Sequence, residues 1–160
     1  MTGPSPHPPE PLEALVARLA AEPVALLGLG IPRCPASELL AASLAELALA
    51  RPSTPLGYAL LAGPDDWALR EQVLWPRGIQ VSRSSVPTLC LLRDGLADAR
   101  RLGGGPATAI DRWLSEHLGP AERPLRDEVS GGERRALARR AARRAQHVAV
   151  KRSDRSGRPE

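Results

Sequence analysis

Aromatic side chains are scarce in this sequence: its 160 residues include no phenylalanine, one tyrosine and three tryptophans. Leucine, alanine and valine must therefore fill most of the core, and the length allows one domain with appendages. No apolar run approaches the ~20 residues of a membrane-spanning helix, so we expect no membrane segment. The start, MTGPSPHPPEP, lacks the basic and apolar regions of a signal peptide.

Cysteine and histidine are also few. Cys34 and Cys90 lie too far apart in sequence to indicate a disulfide scaffold, so a reducing, cytoplasmic location is expected. The three histidines are isolated from each other and from other metal-binding residue types. The glycine clusters lack the spacing of a dinucleotide-binding turn. We therefore expect neither a metal site nor a cofactor.

Charge is unevenly distributed along the chain. Residues 1–120 carry 10 Arg against 12 Asp and Glu, a net charge of −2, whereas residues 121–160 carry 12 Lys and Arg against 6 Asp and Glu, a net charge of +6. The basic isoelectric point thus belongs to the C-terminal part. The predicted division is a flexible Pro-rich leader, a folded domain and a basic tail that is helical or partly disordered, at residues 1–9, 10–119 and 120–160.

Hydrophobic patterns predict an alternation of helices and strands. Leucine or valine recurs with helical spacing from Leu12 to Leu19, and VALLGLG is a continuous apolar run typical of a buried strand. Asp94-Gly95 between two short strands predicts a hairpin. The predicted helices are 12–19, 37–50, 64–74 and 108–118, and the predicted strands are 24–30, 58–62, 88–92 and 96–102. This order indicates an α/β fold: a mixed sheet of about four strands, helices on both faces, and an antiparallel hairpin edge.

Cys34 stands where the first predicted strand gives way to a helix, in the sequence Cys-Pro-Ala-Ser. Unpaired amides and the helix dipole at such a position favour a thiolate, and Arg33 adds a positive charge. Pro35 suits the first helical position, and the hydroxyl of Ser37 is placed to bond the sulfur. The alternative is that Cys34 is an inert residue tolerated at a helix start.

Three motifs together resemble the thioredoxin family over roughly residues 10–119. They are Cys-x-x-Ser at 34–37, the segment SSVPTLCLLRDG at 84–95, and Gly103-Gly104 followed by a short helix. The resemblance implies a thioredoxin-like fold and thiol–disulfide exchange. It also implies a cis peptide bond before Pro87, which would bring the backbone of Val86 beside the cysteine as an edge for a substrate chain.

The sequence departs from the family pattern at three positions. Ser37 replaces the second cysteine, Arg33 replaces an aromatic residue, and Gly28 stands where the family has a buried acidic residue. No disulfide can form within the motif, so an ordinary dithiol reductase is disfavoured. Monothiol chemistry with glutathione or another small thiol, capture of a partner's cysteine, or binding alone remain as alternatives.

Cys90 is the only other candidate thiol. It lies in the apolar run PTLCLL, and free cysteine is among the most buried residue types, so we interpret Cys90 as a core residue. A disulfide between Cys34 and Cys90 would require Cα atoms within ~7 Å, which a sequence cannot establish.

The resulting functional hypothesis is a monothiol thioredoxin-like protein that exchanges disulfides with a protein or a low-molecular-weight thiol. The predicted catalytic residues are Cys34 and Ser37, and the predicted substrate-binding residues are Arg33, Pro35, Val86 and Pro87. The alternative is a non-enzymatic adapter that binds a partner through the same groove or through the tail.

The tail contains the strongly helix-forming stretch GGERRALARRAARRAQ. On a helix, one half of the surface would carry Arg135, Arg139, Arg140, Arg143 and Arg144. This face would suit nucleic acid or an acidic partner, whereas the other interpretation is a solvated basic tail that only maintains solubility.

Overall fold

The computed structural model describes residues 4–125 and shows four helices and four strands in the predicted order. The α-helices are α1 (Leu12–Ala20), α2 (Pro35–Ala50), α3 (Pro64–Leu69) and α4 (Ala107–Leu118). The strands are β1 (Val24–Gly30), β2 (Leu56–Leu60), β3 (Thr88–Arg93) and β4 (Leu96–Leu102). The arginines predicted to bind polyanions, at 135–144, lie outside the described residues.

The strands form one mixed sheet in the order β2-β1-β3-β4. β1 and β2 are parallel, while β3 is antiparallel to both β1 and β4. The hairpin turn places Asp94 and Gly95 at φ 51° and 78°, the left-handed region in which Asp and Gly are common. The hairpin therefore supplies the predicted antiparallel edge through β4, and its other strand lies inside the sheet.

The sheet is covered on both faces, as predicted for this fold class. α1 covers one face together with the chain that follows α3, where Leu15, Leu19 and Leu74 are fully buried. α2 and α4 cover the other face, where Leu40, Leu44 and Leu114 are fully buried. Leucine is the main component of both clusters, as the lack of aromatic residues predicted.

Several predicted boundaries are wrong. β2 ends at Leu60 instead of residue 62, α2 begins at Pro35 instead of Ser37, and two further differences have a clear cause. β2 begins at Leu56 instead of Tyr58, because Leu56 and Gly57 pair with β1 and only glycine leaves room beneath Leu15 of α1. α3 ends at Leu69, and the chain continues as a π-helical turn (Arg70–Leu74) and a 3₁₀ turn (Trp75–Arg77). Pro76 lacks an amide hydrogen and its ring clashes with the preceding turn, so the α-helical pattern cannot continue through it.

The Pro-rich leader, which the sequence predicts to be flexible, and the adjoining Glu10 make hydrogen bonds with the rest of the domain. The amide of His7 donates to the carbonyl of Ala41 at 3.0 Å, and the amide of Glu10 donates to the carbonyl of Tyr58 at 2.8 Å. The side chain of Glu10 also forms an ion pair with Arg18 at 2.5 Å.

Within residues 4–125, no helix is both long and apolar enough to cross a membrane.

Candidate active site around Cys34

Cys34 is the N-cap residue of α2, after a short loop from the end of β1. Its backbone is extended, at φ −113° and ψ 114°, and its carbonyl accepts the first helical hydrogen bond from the amide of Glu38 at 3.0 Å. Pro35 occupies the first helical position, where a missing amide hydrogen costs nothing. Cys34 is partly exposed and its thiol is free, and the residue lies at the helix start that the sequence predicts for it.

The surroundings of the sulfur hold the pKa of Cys34 below its ordinary value. The largest cause is the hydroxyl of Ser37, followed by the backbone amide of Ser37, with a smaller contribution from the amide of Ala36. Partial burial and the carboxylate of Glu38 oppose the shift. The thiol accepts no capping hydrogen bond as it stands, so these donors act on the thiolate that forms when the proton leaves.

Arg33 contributes differently from the sequence-based expectation. Within the part of the chain that the structure describes, the lowered pKa of Cys34 has no contribution from the guanidinium of Arg33. Its backbone has φ 56°, a left-handed conformation that is uncommon for a residue with a side chain. Arg33 is exposed on the loop before α2, so it remains a candidate for contact with a substrate.

Ser37 is fully buried beneath the thiol and is held from two sides. Its hydroxyl oxygen accepts a hydrogen bond from the amide of Ile31 at 3.1 Å, and its carbonyl accepts one from the hydroxyl of Tyr58 at 3.0 Å. Because the hydroxyl oxygen of Ser37 accepts from the loop, its own hydrogen is available to the sulfur of Cys34.

Tyr58 fills the space under this site, a role that sequence reasoning missed. A Cβ at Gly30 would overlap the hydroxyl of Tyr58, and a Cβ at Gly28 would lie 2.7 Å from Leu44 Cδ1 and 3.0 Å from Tyr58 Cδ2. Burial raises the pKa of Tyr58, so the phenol is neutral at pH 7. The acidic residue absent at Gly28 therefore has no room there. The only indication of this role in the sequence was the single tyrosine itself, which lies on β2, the strand that pairs with Gly28.

A second chain segment completes the region through the loop before β3. The Val86–Pro87 peptide bond is cis, and the carbonyl of Pro87 accepts from the amide of Gly103 at 2.8 Å. Val86 is half-buried, and neither its amide nor its carbonyl has a hydrogen-bond partner within the part of the chain that the structure describes. An unpaired amide and carbonyl can accept an added extended chain.

Gly104 supports the first turn of α2 from behind. A Cβ at this position would overlap the carbonyl of Ala36, and Ser43 donates its hydroxyl to the neighbouring carbonyl of Gly105 at 2.5 Å. Of the glycine pair that the sequence singled out, Gly104 is thus the contact with the helix that begins at Cys34, while no atom of residues 4–125 lies within 4 Å of a Cβ at Gly103. Gly104 positions the amides that face the sulfur.

Cys90 is a core residue. It is completely buried in β3, and burial raises the pKa of its thiol to about 11. Both cysteines are free.

A four-stranded mixed sheet with helices on both faces and a cysteine at the start of α2 defines a thioredoxin-like fold. Chlamydomonas reinhardtii thioredoxin f2 is similar, with a TM-score of 0.55 and 16% identity over 71% of this chain and 98% of that one. Desulfothioredoxin from Desulfovibrio vulgaris Hildenborough has a TM-score of 0.52 and 17% identity, over 68% and 94% of the two chains. A mutant thioredoxin from Halobacterium salinarum has a TM-score of 0.52 and 18% identity, over 72% and 93%. No family model and no curated protein matches the sequence.

Proposed function

We propose that this protein carries out thiol–disulfide exchange with one reactive thiol, Cys34, on a partner that bears a cysteine or a disulfide. The observation that carries the proposal is the free thiol of the partly exposed Cys34 at a helix start, with a pKa lowered by the donors of Ser37 and Ala36. The thioredoxin-like fold supports the same class of chemistry. Lowering the pKa raises the thiolate fraction at pH 7, and the thiolate is the nucleophile.

The first step is an attack by the thiolate of Cys34 on one sulfur of a partner disulfide. A bond forms between the sulfur of Cys34 and that sulfur, the partner's S–S bond breaks, and the leaving thiolate takes a proton from solvent. No net oxidant is needed, because the mixed disulfide retains the oxidation state of the original bond.

The partner chain docks along Val86 in this proposal. Its backbone pairs with the free amide and carbonyl of Val86, and the buried Pro87 holds that segment in place through the bond from Gly103. Arg33 and Pro35, the exposed neighbours of Cys34 in the chain, are accessible to a bound partner. Backbone pairing supplies affinity without selecting a sequence.

Resolution requires a thiol from outside the motif, because Ser37 has no sulfur. A low-molecular-weight thiol, or a second cysteine of the partner, attacks the mixed disulfide and returns Cys34 to its thiolate form. The role of Ser37 is to donate to the thiolate and to the sulfur as it leaves.

The test is the rate of alkylation by iodoacetamide as a function of pH, in the wild type and in Cys90→Ala. We expect one fast thiol whose midpoint lies below that of free cysteine measured under the same conditions. Cys34→Ser should abolish the fast phase. A midpoint at or above that of free cysteine, with no acceleration over it, would remove the proposal.

The second candidate is a non-enzymatic adapter that holds a partner in the same groove. The tight packing of Leu44 and Tyr58 against Gly28 favours it, because this packing leaves no place for a buried proton acceptor beneath the thiol. Partner capture on immobilised protein separates the two functions. A non-enzymatic adapter would retain its partner in Cys34→Ser. A protein that acts by disulfide exchange would no longer form, in this variant, the mixed disulfide that a reductant breaks.

Two finer predictions belong with this proposal. A cytoplasmic location agrees with two free thiols.

Binding of the arginines at 135–144 to nucleic acid or an acidic protein would be electrostatic and would weaken steeply with salt. Retention on heparin or DNA before and after removal of residues 121–160 tests it, and unchanged retention would reject it.

A further inference from the structure

A depression of about 220 Å³ opens beside the loop that leads into Cys34. Ile31, Pro32 and Leu61 form part of an apolar wall, and Trp67 and Arg83 also line the depression. Ile31 and Cys34 are three peptide units apart, so their Cα atoms lie within about 11 Å of each other. The depression is therefore within reach of a chain whose cysteine is bonded to Cys34.

Arginine and tryptophan side chains stack beside this depression. The guanidinium of Arg83 lies 5.4 Å from the ring centre of Trp67, and the guanidinium of Arg70 lies 5.5 Å from the same ring. Arg70 is also 5.6 Å from the ring of Trp75 and donates to the carbonyl of Val81 at 3.4 Å. Attraction between the cations and the aromatic faces holds Arg83 over Trp67.

The positive charge at this surface is not neutralised by ion pairs. Within residues 4–125, Arg33, Arg70 and Arg83 form no ion pair with a carboxylate. The nearby carboxylate of Asp66 accepts hydrogen bonds from the amides of Ala62 and Gly63, at 2.9 and 3.3 Å. The guanidinium of Arg83 is exposed and available to an external anion.

The loop that carries Arg83 also carries the docking edge. Ser82 and Ser85 close this loop on itself, since the amide of Ser82 donates to the hydroxyl of Ser85 at 2.8 Å and the amide of Ser85 donates to the carbonyl of Ser82 at 3.0 Å. Arg83 and Val86 are three peptide units apart, so a chain paired with Val86 passes within reach of Arg83.

We infer that this depression binds an aspartate or glutamate side chain of the partner polypeptide within about three residues of its reacting cysteine. This inference rests on the proposed function of Cys34. Arg83 pairs with the carboxylate, and the methylene groups of the acidic side chain lie against Trp67 and Ile31. The site selects among partner proteins, whereas backbone pairing at Val86 does not.

The experiment compares two peptides that differ only in one residue, glutamate or glutamine, two positions from an activated cysteine. Rates of mixed-disulfide formation are measured with the wild type, Arg83→Gln and Arg112→Gln; Arg112 is an exposed arginine on α4 and serves as the matched control. We expect the glutamate peptide to react about two- to fivefold faster with the wild type and with Arg112→Gln, as for an exposed ion pair. Arg83→Gln should bring the ratio close to one, and 0.5 M salt should do the same to the wild type.

Equal rates for the two peptides in the wild type, or an unchanged ratio in Arg83→Gln, would overturn the inference. Alkylation by the neutral reagent iodoacetamide should be the same in all three proteins, because Arg83 does not act on the thiol. If Cys34 proves unreactive, the same peptides with serine in place of cysteine are titrated against tryptophan fluorescence. Tighter binding of the glutamate peptide to the wild type than to Arg83→Gln supports the site, and equal binding rejects it.

Discussion

The two cysteines place the same side chain in opposite environments of one fold. Cys34 lies beyond the C-terminal end of β1, an inner strand, where donors on the first turn of α2 lower the pKa of its thiol. Cys90 lies in the middle of β3, where burial raises the pKa of its thiol to about 11. The difference shows that position in the fold sets the direction in which each thiol pKa moves, because a helix start offers unpaired donors and a central strand has none to spare.

The largest consequence is a difference in accessibility to thiol reagents. A disulfide reagent reaches Cys34 in the native state, whereas it reaches Cys90 only when the domain opens. Opening free energies of about 5 kcal/mol or more for a core strand slow that reaction by at least ~10³-fold. We expect one fast thiol in native protein and two equivalent thiols in denaturant, measured by the release of a coloured thiolate.

Single substitutions assign the two phases. Cys34→Ala should remove the fast phase, and Cys90→Ala should leave it unchanged. Two fast thiols in the native protein would show that β3 is not the protected core strand that the structure describes.

The next effect concerns stability in alkaline solution. Cys90 has a folded pKa of about 11, and an unfolded thiol ionises near 9.0, so the unfolded state releases its proton first. The stabilisation is complete below pH 9 and is lost as the pH rises from 9 to 11. At about 1.36 kcal/mol for each pKa unit, the free energy of unfolding falls by up to about 3 kcal/mol through Cys90.

Urea unfolding of the wild type and Cys90→Ala, at several values between about pH 8 and 11, isolates this contribution. The difference in unfolding free energy between the two proteins should shrink as the pH rises. Other groups, including Tyr58 with its raised pKa, titrate equally in both proteins and cancel. A difference independent of pH would contradict the burial of the Cys90 thiol.

The space beneath Cys34 gives a third test, because it is filled by packing instead of by a charged group. Gly28→Ala places a methyl group 2.7 Å from Leu44 Cδ1, and overpacking of this kind costs about 1 to 3 kcal/mol of stability. Chemical denaturation measures this cost. Gly63→Ala is the control, since no atom lies within 4 Å of a Cβ at that position.

A double mutant shows whether Leu44 is the cause. In a Leu44→Ala background, the added methyl group at Gly28 should cost less than it does alone, because the shortest contact is gone and only the close one with Tyr58 Cδ2 at 3.0 Å remains. Additive costs would mean that the tight contact at Gly28 lies elsewhere.

Local patterns predicted most of the fold. Helical spacing in α1, the apolar run of β1 and the Asp94-Gly95 turn are local signals, and each element forms where it was expected. Boundaries failed where distant contacts decide them, as at Gly57, which extends β2 because α1 packs closely above it.

The candidate site was only partly visible in the sequence, for the same physical reason. Cys34 and Ser37 are neighbours on one helical turn, so their contact follows from spacing. Tyr58 lies on β2 and comes near the site because β2 pairs in parallel with β1, and Arg83 stacks on Trp67 from another loop. No local sequence pattern predicts either contact. Proximity in sequence also overstated Arg33, because donors on the following turn lower the pKa of Cys34 instead.

The smallest expected effect is a change in the pKa of Cys34 when the hydroxyl of Ser37 is removed. It tests most directly why the pKa of Cys34 is lowered while that of Cys90 is raised. Ser37→Ala removes the hydroxyl that is the largest cause of the lowered pKa of Cys34, while the amides of Ala36 and residue 37 stay in place. The pKa of Cys34 should rise part of the way to its ordinary value, and alkylation at pH 7 should become severalfold slower. The dependence of the alkylation rate on pH measures this shift.

Ser43→Ala is the matched control, because Ser43 is a buried serine on the same helix whose hydroxyl bonds the carbonyl of Gly105. Ser37→Ala leaves the part-buried amide of Ile31 without its partner, and Ser43→Ala does the same to the buried carbonyl of Gly105, so each should cost about 1 to 3 kcal/mol of stability. Only Ser37→Ala should move the pKa of Cys34, which separates a direct effect on the sulfur from a general loosening of α2. If the two variants share one pH profile, the helix amides alone hold the thiolate and Ser37 serves only to anchor the loop at Ile31.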